Sequence, residues 1–445
     1  FRKGGIDEMR TEKVIGIDIG TTSICLVGYR MTDKKTEEVL QEVNTFLPET
    51  FLQDPQQIYI CVKKMLDELI DGIGGADVIG VSSQMHGIVY LDANGTAVTP
   101  YYTWKTEYGN EPFQDCTYAK WLSGQTGYEM HTGYGSVTHF YLQKTGQIPK
   151  KAAAFANIGD YIVMRLCGLR TPKMHPTIAA SMGGFDLKNG IFDKEKLQRA
   201  GVNTDYYPEV TEKTQAVGKY RGIPLVWALG DNQASFYAAA GESEENLSIN
   251  VGTGSQVSFF DRTLTEIQAG EIRPFTNQGY LYVQASVNGG KVYERLAEFF
   301  LESVRQFTGV ELDKTVVYQK MEEMGLAKTE TDLQIFPYLY GSRADQDRCG
   351  EVTGLTEKNF YPPDFIRAFI AGMAKELYDA YQQFPAELRC RKKVIVASGN
   401  GIRRNILMQQ EIEKVFGLPV ILRQIEEEAA VGAAVWAWKE IINGK

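Results

Sequence analysis

Several common chemical signatures are absent from this 445-residue sequence. Its six cysteines form no Cys-x-x-Cys pair, which excludes the zinc knuckles and redox motifs built on that spacing. Its four histidines show no His-Glu-x-x-His arrangement, so the zinc-protease motif is excluded. A Gly-x4-Gly-Lys-Ser/Thr loop is also missing, and any nucleotide must therefore be held by something other than a Walker A loop.

An excess of positive charge and a long apolar run are lacking as well. The formal net charge is -9 and the isoelectric point is near 5.3, which argues against a nucleic-acid partner. The longest apolar run, Ala429 to Trp438, is too short to span a bilayer. Residues Phe1 to Lys13 are polar and contain no signal-peptide core. Together with the scattered cysteines, these features predict a cytoplasmic protein with no nucleic-acid or membrane partner.

The sequence is long enough for two domains, and an internal repeat supports that division. Residues 17–23 read Ile-Asp-Ile-Gly-Thr-Thr-Ser, and residues 249–255 read Ile-Asn-Val-Gly-Thr-Gly-Ser. Each copy has the pattern of a strand that enters a tight turn and returns as a second strand. The repeat predicts two halves of common design, a first domain over residues 14–241 and a second over residues 245–445.

Strand and helix signals alternate along both halves, which predicts an α/β fold. A strand is predicted at Asp77–Ser83, and Asn94-Gly95 is the turn signal of a hairpin. Helices are predicted at Ile58–Ile70, Lys291–Phe307, Pro363–Phe384, Asn405–Phe416 and Glu426–Ile442, and further strands at Val394–Ala397 and Pro419–Leu422.

The two repeated turns have the composition of phosphate-binding loops. Glycine lets the backbone approach a phosphate, and successive N–H groups with neighbouring hydroxyls supply donors. The candidate phosphate ligands are Gly20, Thr21, Thr22 and Ser23 in the first turn and Gly252, Thr253 and Gly254 in the second. Asp18 would hold Mg2+ beside the first turn, because Mg2+ prefers oxygen ligands. The alternative for each turn is an ordinary surface hairpin.

Asp231 is the candidate general base. The apolar run Ile223–Leu229 reads as a strand, and Gly230-Asp231-Asn232 follows at its carboxyl end, where sites in α/β sheets lie. Phosphoryl transfer needs a carboxylate near the attacking hydroxyl to accept its proton. The alternative is an aspartate that only caps the following helix.

Two further segments offer contacts to a carbohydrate. Gln84-Met85-His86-Gly87 lies at the tip between two predicted strands, and Trp104 lies in a polar loop. A tryptophan face beside polar donors suits a sugar, which has apolar C–H faces and hydroxyl edges. The alternatives are a histidine that only completes a turn and a tryptophan that belongs to the core.

The strand Val394–Ala397 runs into a glycine turn, Ser398-Gly399-Asn400-Gly401, and a helix opens at Asn405. This geometry suits a nucleoside that rests on a glycine platform. The small residues Ala429–Ala434 of the last helix are better explained by close packing.

Taken together and in this order, these segments resemble the FGGY carbohydrate kinases of the sugar kinase/Hsp70/actin superfamily. The resemblance implies two actin-like (ribonuclease H-like) domains with an ATP and sugar cleft between them. It also implies that Asp231 is the catalytic base and that Asp18 and Asp231 serve Mg2+. Sugar contacts are implied for Met85, His86, Trp104, Asp231 and Asn232, and ATP contacts for Gly252, Thr253, Gly254, Gly399, Asn400 and Asn405 in addition to the first turn.

Within the family, Gln-Met-His-Gly at residues 84–87 is similar to the form found in ketose kinases. Other stretches, such as Thr103-Trp104 and Ala179-Ala180-Ser181, are most similar to sedoheptulokinases. The implied reaction is ATP-dependent phosphorylation of a ketose at a terminal hydroxyl, sedoheptulose to sedoheptulose 7-phosphate. The alternatives are a xylulokinase-like kinase of another ketose or polyol, a non-catalytic sugar- or nucleotide-binding regulator, and an actin-like ATPase. The expected partners are a small sugar and MgATP, and a homodimer is left open.

Two positions depart from the family pattern. Cys25 stands where relatives commonly have Lys or Arg near the phosphates, which leaves that charge to Mg2+ or another residue. Lys105-Thr106-Glu107 replaces a more usual Gln/Asn-Asp pair, which puts the contacts to the far end of the sugar in question.

Overall fold

Two β-sheets organise the chain, one in each of two units. The computed structural model describes residues 11–32, 38–48, 50–211, 216–276, 279–342, 345–423, 425 and 427–443. The first unit gathers the described residues of Phe1–Ala238, Arg273–Gln278 and Ile425–Lys445, and the second gathers those of Ala239–Ile272 and Gly279–Gln424. Within the described residues, no helix is both long and apolar enough to cross a bilayer.

The first unit carries most of the strands. They are β1 (Thr11–Ile19), β2 (Ser23–Thr32), β3 (Glu38–Phe46), β4 (Leu52–Gln53), β5 (Val78–Ser83), β6 (Val89–Leu91), β7 (Tyr101–Tyr102), β8 (Pro112–Phe113), β9 (Cys116–Thr117), β10 (Ala154–Ala156), β11 (Lys173–Met174), β12 (Phe185–Asp186), β13 (Ile191–Phe192), β14 (Glu209–Val210), β15 (Gly218–Tyr220), β16 (Ile223–Leu225) and β17 (Leu229–Gly230). Its helices before the second unit are α1 (Pro55–Ile73), α2 (Tyr118–Thr126), α3 (Gly135–Lys144), α4 (Ile158–Leu166), α5 (Pro176–Ala179), α6 (Lys194–Arg199) and α7 (Asp231–Ala240), whose last two residues fall in the second unit.

The second unit alternates fewer, longer elements. Its strands are β18 (Asn246–Val251), β19 (Ser255–Asp261), β20 (Glu271–Pro274, of which Arg273 and Pro274 group with the first unit), β21 (Tyr280–Ser286), β22 (Gln334–Phe336), β23 (Glu351–Thr353), β24 (Val394–Ser398) and β25 (Val420–Leu422). Its helices are α8 (Gly290–Thr308), α9 (Lys314–Ala327), α10 (Pro362–Gln382), α11 (Ala386–Arg389), α12 (Asn400–Arg403) and α13 (Ile406–Phe416). The chain then returns to the first unit as α14 (Glu428–Trp438).

The main sheet of the first unit has the order β15-β16-β5-β1-β2-β3, with β17 paired to β5. Helices cover both of its faces. A Cβ on Gly16 of β1 would lie 1.8 Å from the Ala430 carbonyl oxygen, so α14 lies directly on this strand. Gly28 of β2 is paired with Ile15 and therefore faces the opposite side, where a Cβ would meet Leu69 of α1 at 3.3 Å. The result is an α/β/α layering around a buried β-branched core.

The sheet of the second unit, in the order β20-β21-β19-β18-β24-β25, repeats the central pattern of the first. In each unit a strand pairs antiparallel with its return strand and parallel with a later strand, as β1 does with β2 and β5 and as β18 does with β19 and β24. The internal repeat predicted from residues 17–23 and 249–255 is therefore confirmed as a structural one.

Most predicted elements are present with ends within a few residues of the prediction. Ile223–Leu229 is an exception, because it forms two short strands rather than one. Leu225 pairs with Ile79 and Leu229 pairs with Ser82, so four steps along this segment match three steps along β5. The extra residue is a bulge-like irregularity one element before Asp231, and such irregularities re-aim the side chains that follow them.

The last helix shows why spatial units and sequence halves differ. The start predicted for it at Glu426 lies outside the described residues, and the structure begins α14 at Glu428. A Cβ on Gly80 would lie 2.0 Å from the Ala433 carbonyl oxygen, so α14 packs on β5 as closely as it does on β1. The packing role predicted for Ala429–Ala434 is confirmed. The domain limits 14–241 and 245–445 stay a prediction. In the structure this helix belongs to the first unit.

Candidate active site

Three parallel strands of the first unit end at one edge of its sheet. β1 and β17 both run parallel to β5, with Asp18 opposite Ser82 and Gly230 opposite Ser83. The carboxyl ends of parallel strands are where α/β sheets hold their ligands. This register brings Asp18 and Asp231 to the same edge, and the sequence pattern had predicted the strand-end position of Asp231.

Asp18 is a half-buried carboxyl with one close donor. The Ser82 hydroxyl donates to Asp18 Oδ1 at 2.8 Å. Burial and the nearby Asp231 carboxylate raise the pKa of Asp18 to about 7, against the lowering effect of the Ser82 hydrogen bond, and Glu427 adds to the rise. Such a carboxyl is about half protonated at neutral pH, and a cation that neutralises its charge would favour the ionised form.

Asp231 is the first residue of α7, directly after β17. Its Oδ1 accepts hydrogen bonds from the backbone N–H of Asn232 at 2.7 Å and from the Asn232 side-chain amide at 3.3 Å. Burial raises the pKa of Asp231 to about 6, while the Asn232 N–H and the Arg273 guanidinium act in the opposite direction. The carboxylate is thus ionised at neutral pH and still basic enough to accept a proton.

Met85 lies beneath this edge and not on its surface. It is 4% exposed, and a Cβ on Gly230 would lie 2.4 Å from its sulfur. A side chain at position 230 would therefore require Met85 to move. The structure gives Met85 a packing contact, and the sugar contact inferred for it stays a prediction.

His86 is fixed in an unusual backbone conformation. Its φ is 72°, in the left-handed region that non-glycine residues rarely adopt. Its N–H donates to the Ser181 hydroxyl at 3.1 Å, its Nδ1 donates to the Ser181 carbonyl oxygen at 2.6 Å, and its ring stacks on Tyr134 with centroids 4.6 Å apart. Because the carbonyl can only accept, Nδ1 carries a proton and Nε2 is the acceptor of the neutral ring.

Trp104 is joined to the first turn. It is 45% exposed, and its indole N–H donates to the Thr21 hydroxyl at 2.8 Å. Lys105 Nζ lies 5.7 Å from the centroid of the Trp104 ring, within cation–π range. The exposed indole face agrees with a surface role and not with the core alternative, and Lys105 places a positive charge beside it.

Cys25 supplies no positive charge near the first turn. It is buried on β2, opposite Asp18. Its Sγ lies within 4.8 Å of carboxylate oxygens of Glu42 and Glu427. Burial and these carboxylates raise the pKa of Cys25 well above its ordinary value, so the side chain is a neutral thiol.

Several residues of this edge gave no sequence signal. Asn157 is fully buried, and its amide donates to the carbonyl oxygens of Gln84 at 3.1 Å and Gly87 at 3.2 Å, which fixes the tip that carries His86. Arg273 comes from a distant segment, Glu271–Pro274, and acts on Asp231. A lone buried asparagine or a single arginine in a strand has no spacing pattern that would identify it.

In the second unit, the turn between β18 and β19 packs on the start of α8. The N–H groups of Gly290 and Lys291 donate to the carbonyl oxygens of Gly252 at 2.7 Å and Thr253 at 3.3 Å. A Cβ on Gly254 would lie 2.8 Å from the Ser286 carbonyl oxygen, whereas a Cβ on Gly252 would meet nothing closer than 3.5 Å. Protein packing therefore explains glycine at 254 but not at 252.

The predicted nucleoside platform adjoins this second turn. Gly399 has φ 86°, and a Cβ there would lie 2.5 Å from the Val251 carbonyl oxygen, the residue before Gly252. Asn400 is exposed at the start of α12. Asn405 is 6% exposed and accepts from the Met408 N–H at 2.9 Å as the cap of α13. Its observed role is helix capping, and its ATP contact stays a prediction.

Comparisons with known proteins agree with this architecture. The model of the FGGY family of carbohydrate kinases, N-terminal domain, matches residues 13–237, and that of the C-terminal domain matches residues 247–440. The chain is 27% identical to mouse (Mus musculus) sedoheptulokinase over 95% of its own length and 96% of that protein, and 24% identical to glycerol kinase of Aquifex aeolicus over 95% and 88%. Xylulose kinase of Rhodospirillum rubrum superposes with a TM-score of 0.80 at 19% identity, over 98% of this chain and 90% of that one.

Two actin-like α/β units that match both halves of one kinase family define a phosphotransferase acting on carbohydrates. The chain belongs to the FGGY family of carbohydrate kinases. It is therefore a sugar kinase, with a sugar and ATP as its substrates. The predicted family, α/β fold class and enzyme class are confirmed.

Proposed function

We propose that this kinase transfers the γ-phosphoryl group of ATP to O7 of sedoheptulose, with Asp231 as the general base. The observation that carries the proposal is the pair of carboxyls, Asp18 in β1 and Asp231 directly after β17, at one edge of the sheet, where both strands pair with β5. Their pKa values are raised to about 7 and about 6. Groups with strongly shifted pKa values are concentrated in functional sites, because catalytic acids and bases need pKa values matched to their task.

The proton of the attacking hydroxyl goes to Asp231 in this proposal. The Asn232 N–H holds one carboxylate oxygen at 2.7 Å, which fixes the orientation of the group at the start of α7. A base with a pKa of about 6 is ionised at neutral pH and retains enough basicity to take a proton as the bond to phosphorus forms. The Arg273 guanidinium lowers the pKa of Asp231 and so favours the ionised carboxylate that the base needs to be.

The residues present suit a hard divalent cation. Asp18 offers a carboxylate whose pKa is raised by burial and by Asp231, so a positive charge placed there removes an existing repulsion. Carboxylate oxygens are the protein ligands that Mg2+ prefers. Asp18 and Asp231 would hold Mg2+, and the ion would supply charge neutralisation for the phosphoryl group. Because the Cys25 thiol is neutral, position 25 supplies no positive charge for the phosphoryl group.

His86 and Trp104 are assigned to the sugar. His86 is held so that Nε2 is an acceptor, which suits a sugar hydroxyl as donor. The half-exposed Trp104 face suits the C–H face of the sugar, and Lys105 beside it offers a donor for the hydroxyls of a longer chain. Sedoheptulose is preferred because the sedoheptulokinases of mouse and human are similar to this chain over 95% and 82% of its length.

A panel of sugars tests the proposal. ADP release is measured with sedoheptulose, xylulose, ribulose, glycerol and gluconate at equal enzyme concentration, and product NMR locates the phosphate. A seven-carbon site should favour sedoheptulose over xylulose by about tenfold or more in kcat/KM, since one lost hydrogen bond costs about 1–3 kcal/mol.

Each of the other results of this sugar panel would support a different function. Equal or better turnover of xylulose rejects sedoheptulose in favour of a xylulokinase-like enzyme, the second candidate, which the similarity to xylulose kinases supports. Turnover of glycerol alone overturns the ketose assignment of Gln84–Gly87. Sugar binding without ADP release from any sugar would indicate a non-catalytic regulator.

A further inference from the structure

Four polar side chains around the first turn form one closed network. The Trp104 indole N–H donates to the Thr21 hydroxyl at 2.8 Å, and that hydroxyl donates to Gln84 Oε1 at 3.2 Å. The Gln84 amide donates to the Gly20 carbonyl oxygen at 3.2 Å and to Gln53 Oε1 at 3.1 Å. The Gln53 amide closes the network by donating to the Thr21 carbonyl oxygen at 2.7 Å. We call these four side chains the Trp104–Thr21 network.

Chemistry fixes the direction of each bond. An indole N–H can only donate, so the Thr21 hydroxyl must accept from Trp104. The hydroxyl has a single proton, which Gln84 Oε1 receives. Thr21 therefore cannot donate that proton to a phosphate while the network is intact. The Gly20 N–H donates to the Ser23 carbonyl oxygen at 2.9 Å, so the N–H groups of Thr21 and Thr22 and the hydroxyls of Thr22 and Ser23 remain as candidate phosphate donors.

Burial makes the arrangement costly to disturb. Gln84 is 1% exposed and Gln53 is 5% exposed, so neither amide can exchange a lost partner for bulk water. A buried polar group without a partner costs about 1–3 kcal/mol. Satisfied buried networks of this kind are rigid and specify one geometry. The two glutamine amides donate to main-chain carbonyl oxygens of the turn itself, those of Gly20 and Thr21.

We propose that Thr21, Gln84 and Gln53 are positioning residues that couple sugar contact at Trp104 to nucleotide binding by the first turn. The inference rests on the proposed function, which assigns the sugar to Trp104 and phosphates to this turn. Trp104 is the exposed end of the network, and the turn is the other end. A sugar that contacts the Trp104 ring restricts its movement and so keeps the indole N–H bonded to Thr21. The intact network then keeps the first turn in the geometry that binds the phosphates.

Calorimetry measures the coupling directly. The affinity of the magnesium complex of a non-hydrolysable ATP analogue is determined without sugar and at saturating sugar, and the ratio is the coupling factor. We expect a ratio of about fivefold or more for the wild type, within the usual range of coupling between sites. Trp104→Phe keeps an aromatic ring and removes the N–H, and Thr21→Val removes the hydroxyl. Each should bring the ratio to within about twofold of one, with the sugar-free affinity nearly unchanged.

Controls separate positioning from simple loss of structure. Trp121→Phe makes the same substitution on α2, outside the network, and should keep the wild-type ratio. Thr21→Ser retains the hydroxyl and should rescue the coupling. The double variant Trp104→Phe with Thr21→Val should lose no more coupling than either single variant, since both break one chain of bonds. Trp104 is half exposed, so its variant tests the inference even if Thr21→Val does not fold.

Three results would overturn the inference. These are a wild-type ratio near one, a ratio that survives in Trp104→Phe, and a Thr21→Val variant that loses affinity equally with and without sugar. The last result would make Thr21 a direct phosphate ligand. The experiment uses whichever sugar of the panel the wild type phosphorylates, so failure of the sedoheptulose assignment is seen beforehand, in turnover, and is not confused with failure of the coupling.

Discussion

The Ser82 hydroxyl donates to Asp18 across two parallel strands at 2.8 Å, and the second unit contains the same pairing. There the Asn250 amide donates to the Ser398 hydroxyl at 2.8 Å, between the equivalent strands. The internal repeat thus keeps a hydrogen bond between the equivalent positions but reverses its direction, and asparagine in place of aspartate removes the charge. Only the first unit has a reason to attract a cation at this position.

The first prediction follows from that difference. Asp18→Asn should stabilise the protein at pH 8 without divalent cations, because the chain already accommodates asparagine at the equivalent position, Asn250. The pKa of Asp18 is raised from 3.8 to about 7 in the folded state, so the folded state binds its proton more tightly than the unfolded state. Its contribution to stability therefore falls as pH rises from about 4 to about 7. We expect a gain of about 1 kcal/mol or more at pH 8.

Urea unfolding at pH 4 and pH 8, with a chelator present, measures this effect. Most of this gain should be absent at pH 4, which is close to the unfolded-state pKa of 3.8 and well below the folded-state pKa of about 7. Added Mg2+ should raise the stability of the wild type and leave Asp18→Asn unchanged. A variant that is less stable than the wild type at pH 8 would show that the carboxylate is already neutralised by the protein.

Asp231→Asn is the second prediction. The amide can still accept from the Asn232 N–H, so folding and sugar binding should persist. Loss of the base should lower kcat by roughly 10²–10⁴. Rapid-quench measurement of the chemical step checks this, with sugar affinity from calorimetry as the control. If the variant keeps more than about half of the wild-type rate of that step, Asp231 is not the base.

A pair of glycine variants tests the second turn. Gly254→Ala should destabilise the second unit, because its Cβ would lie 2.8 Å from the Ser286 carbonyl oxygen. The Cβ of Gly252→Ala would meet its nearest neighbour, Asn250 Oδ1, at 3.5 Å, an ordinary contact, so this variant should fold normally. If phosphates approach the turn at Gly252, this variant should bind MgATP at least about tenfold more weakly, with sugar affinity unchanged. Normal MgATP affinity in the folded Gly252→Ala variant would show that the phosphates do not approach the turn at Gly252.

The repeat of residues 17–23 at 249–255 was enough to predict two related sheets, because local pattern determines a strand, a tight turn and a return strand. The irregularity between Leu225 and Leu229 could not be predicted, since it depends on register against β5, which is distant in sequence. The position of the last helix could not be predicted from the sequence for the same reason. Its alanines suggested close packing but could not identify Gly16 and Gly80 as the surface that receives it.

For the site, strand-end position predicted Asp231 at the carboxyl end of a strand, and the first turn predicted Asp18 beside it. That the two carboxyls lie at one edge of the sheet comes from the register with β5. The partners that set their properties were not predictable. Ser82 is one serine among many, and Arg273 comes from a segment assigned to the other half of the chain. Sequence reasoning also treated Thr21 and Trp104 as ligands of different molecules, whereas the structure joins them by a hydrogen bond. Side-chain contacts between distant segments leave no periodic signal in a sequence.

The fourth prediction concerns His86, whose φ of 72° limits the substitutions that can test it. Alanine or valine would strain the turn, but asparagine tolerates this conformation. His86→Asn should keep stability near that of the wild type and lower kcat/KM for the sugar by about 10- to 100-fold, with KM for ATP unchanged. Steady-state kinetics with each substrate varied in turn measures this. Equal losses for sugar and ATP would mean that the turn is a structural support and not a sugar contact.

The last prediction asks whether Lys105 reads the length of the sugar. Its Nζ lies 5.7 Å from the centroid of the Trp104 ring, so its charge is beside the proposed sugar face. Lys105→Met keeps the apolar stem and removes the charge. A hydrogen bond from a charged donor contributes about 1.5–3 kcal/mol, so kcat/KM for sedoheptulose should fall by about tenfold or more. Xylulose, which lacks two carbons, should lose less than about twofold.

The comparison between the two sugars separates a specific contact from a general one. The cation–π contact with Trp104 contributes about 0.5–1 kcal/mol at an exposed site, and its loss would affect both sugars alike. A selective loss for sedoheptulose therefore requires a contact that only the longer sugar reaches. Lys63→Met on α1 is the matched control, because Lys63 also lies over an aromatic ring, that of Tyr220, and should change neither sugar. Equal losses for both sugars in Lys105→Met would place the charge near the shared end of the substrates and leave chain length to be read by another residue.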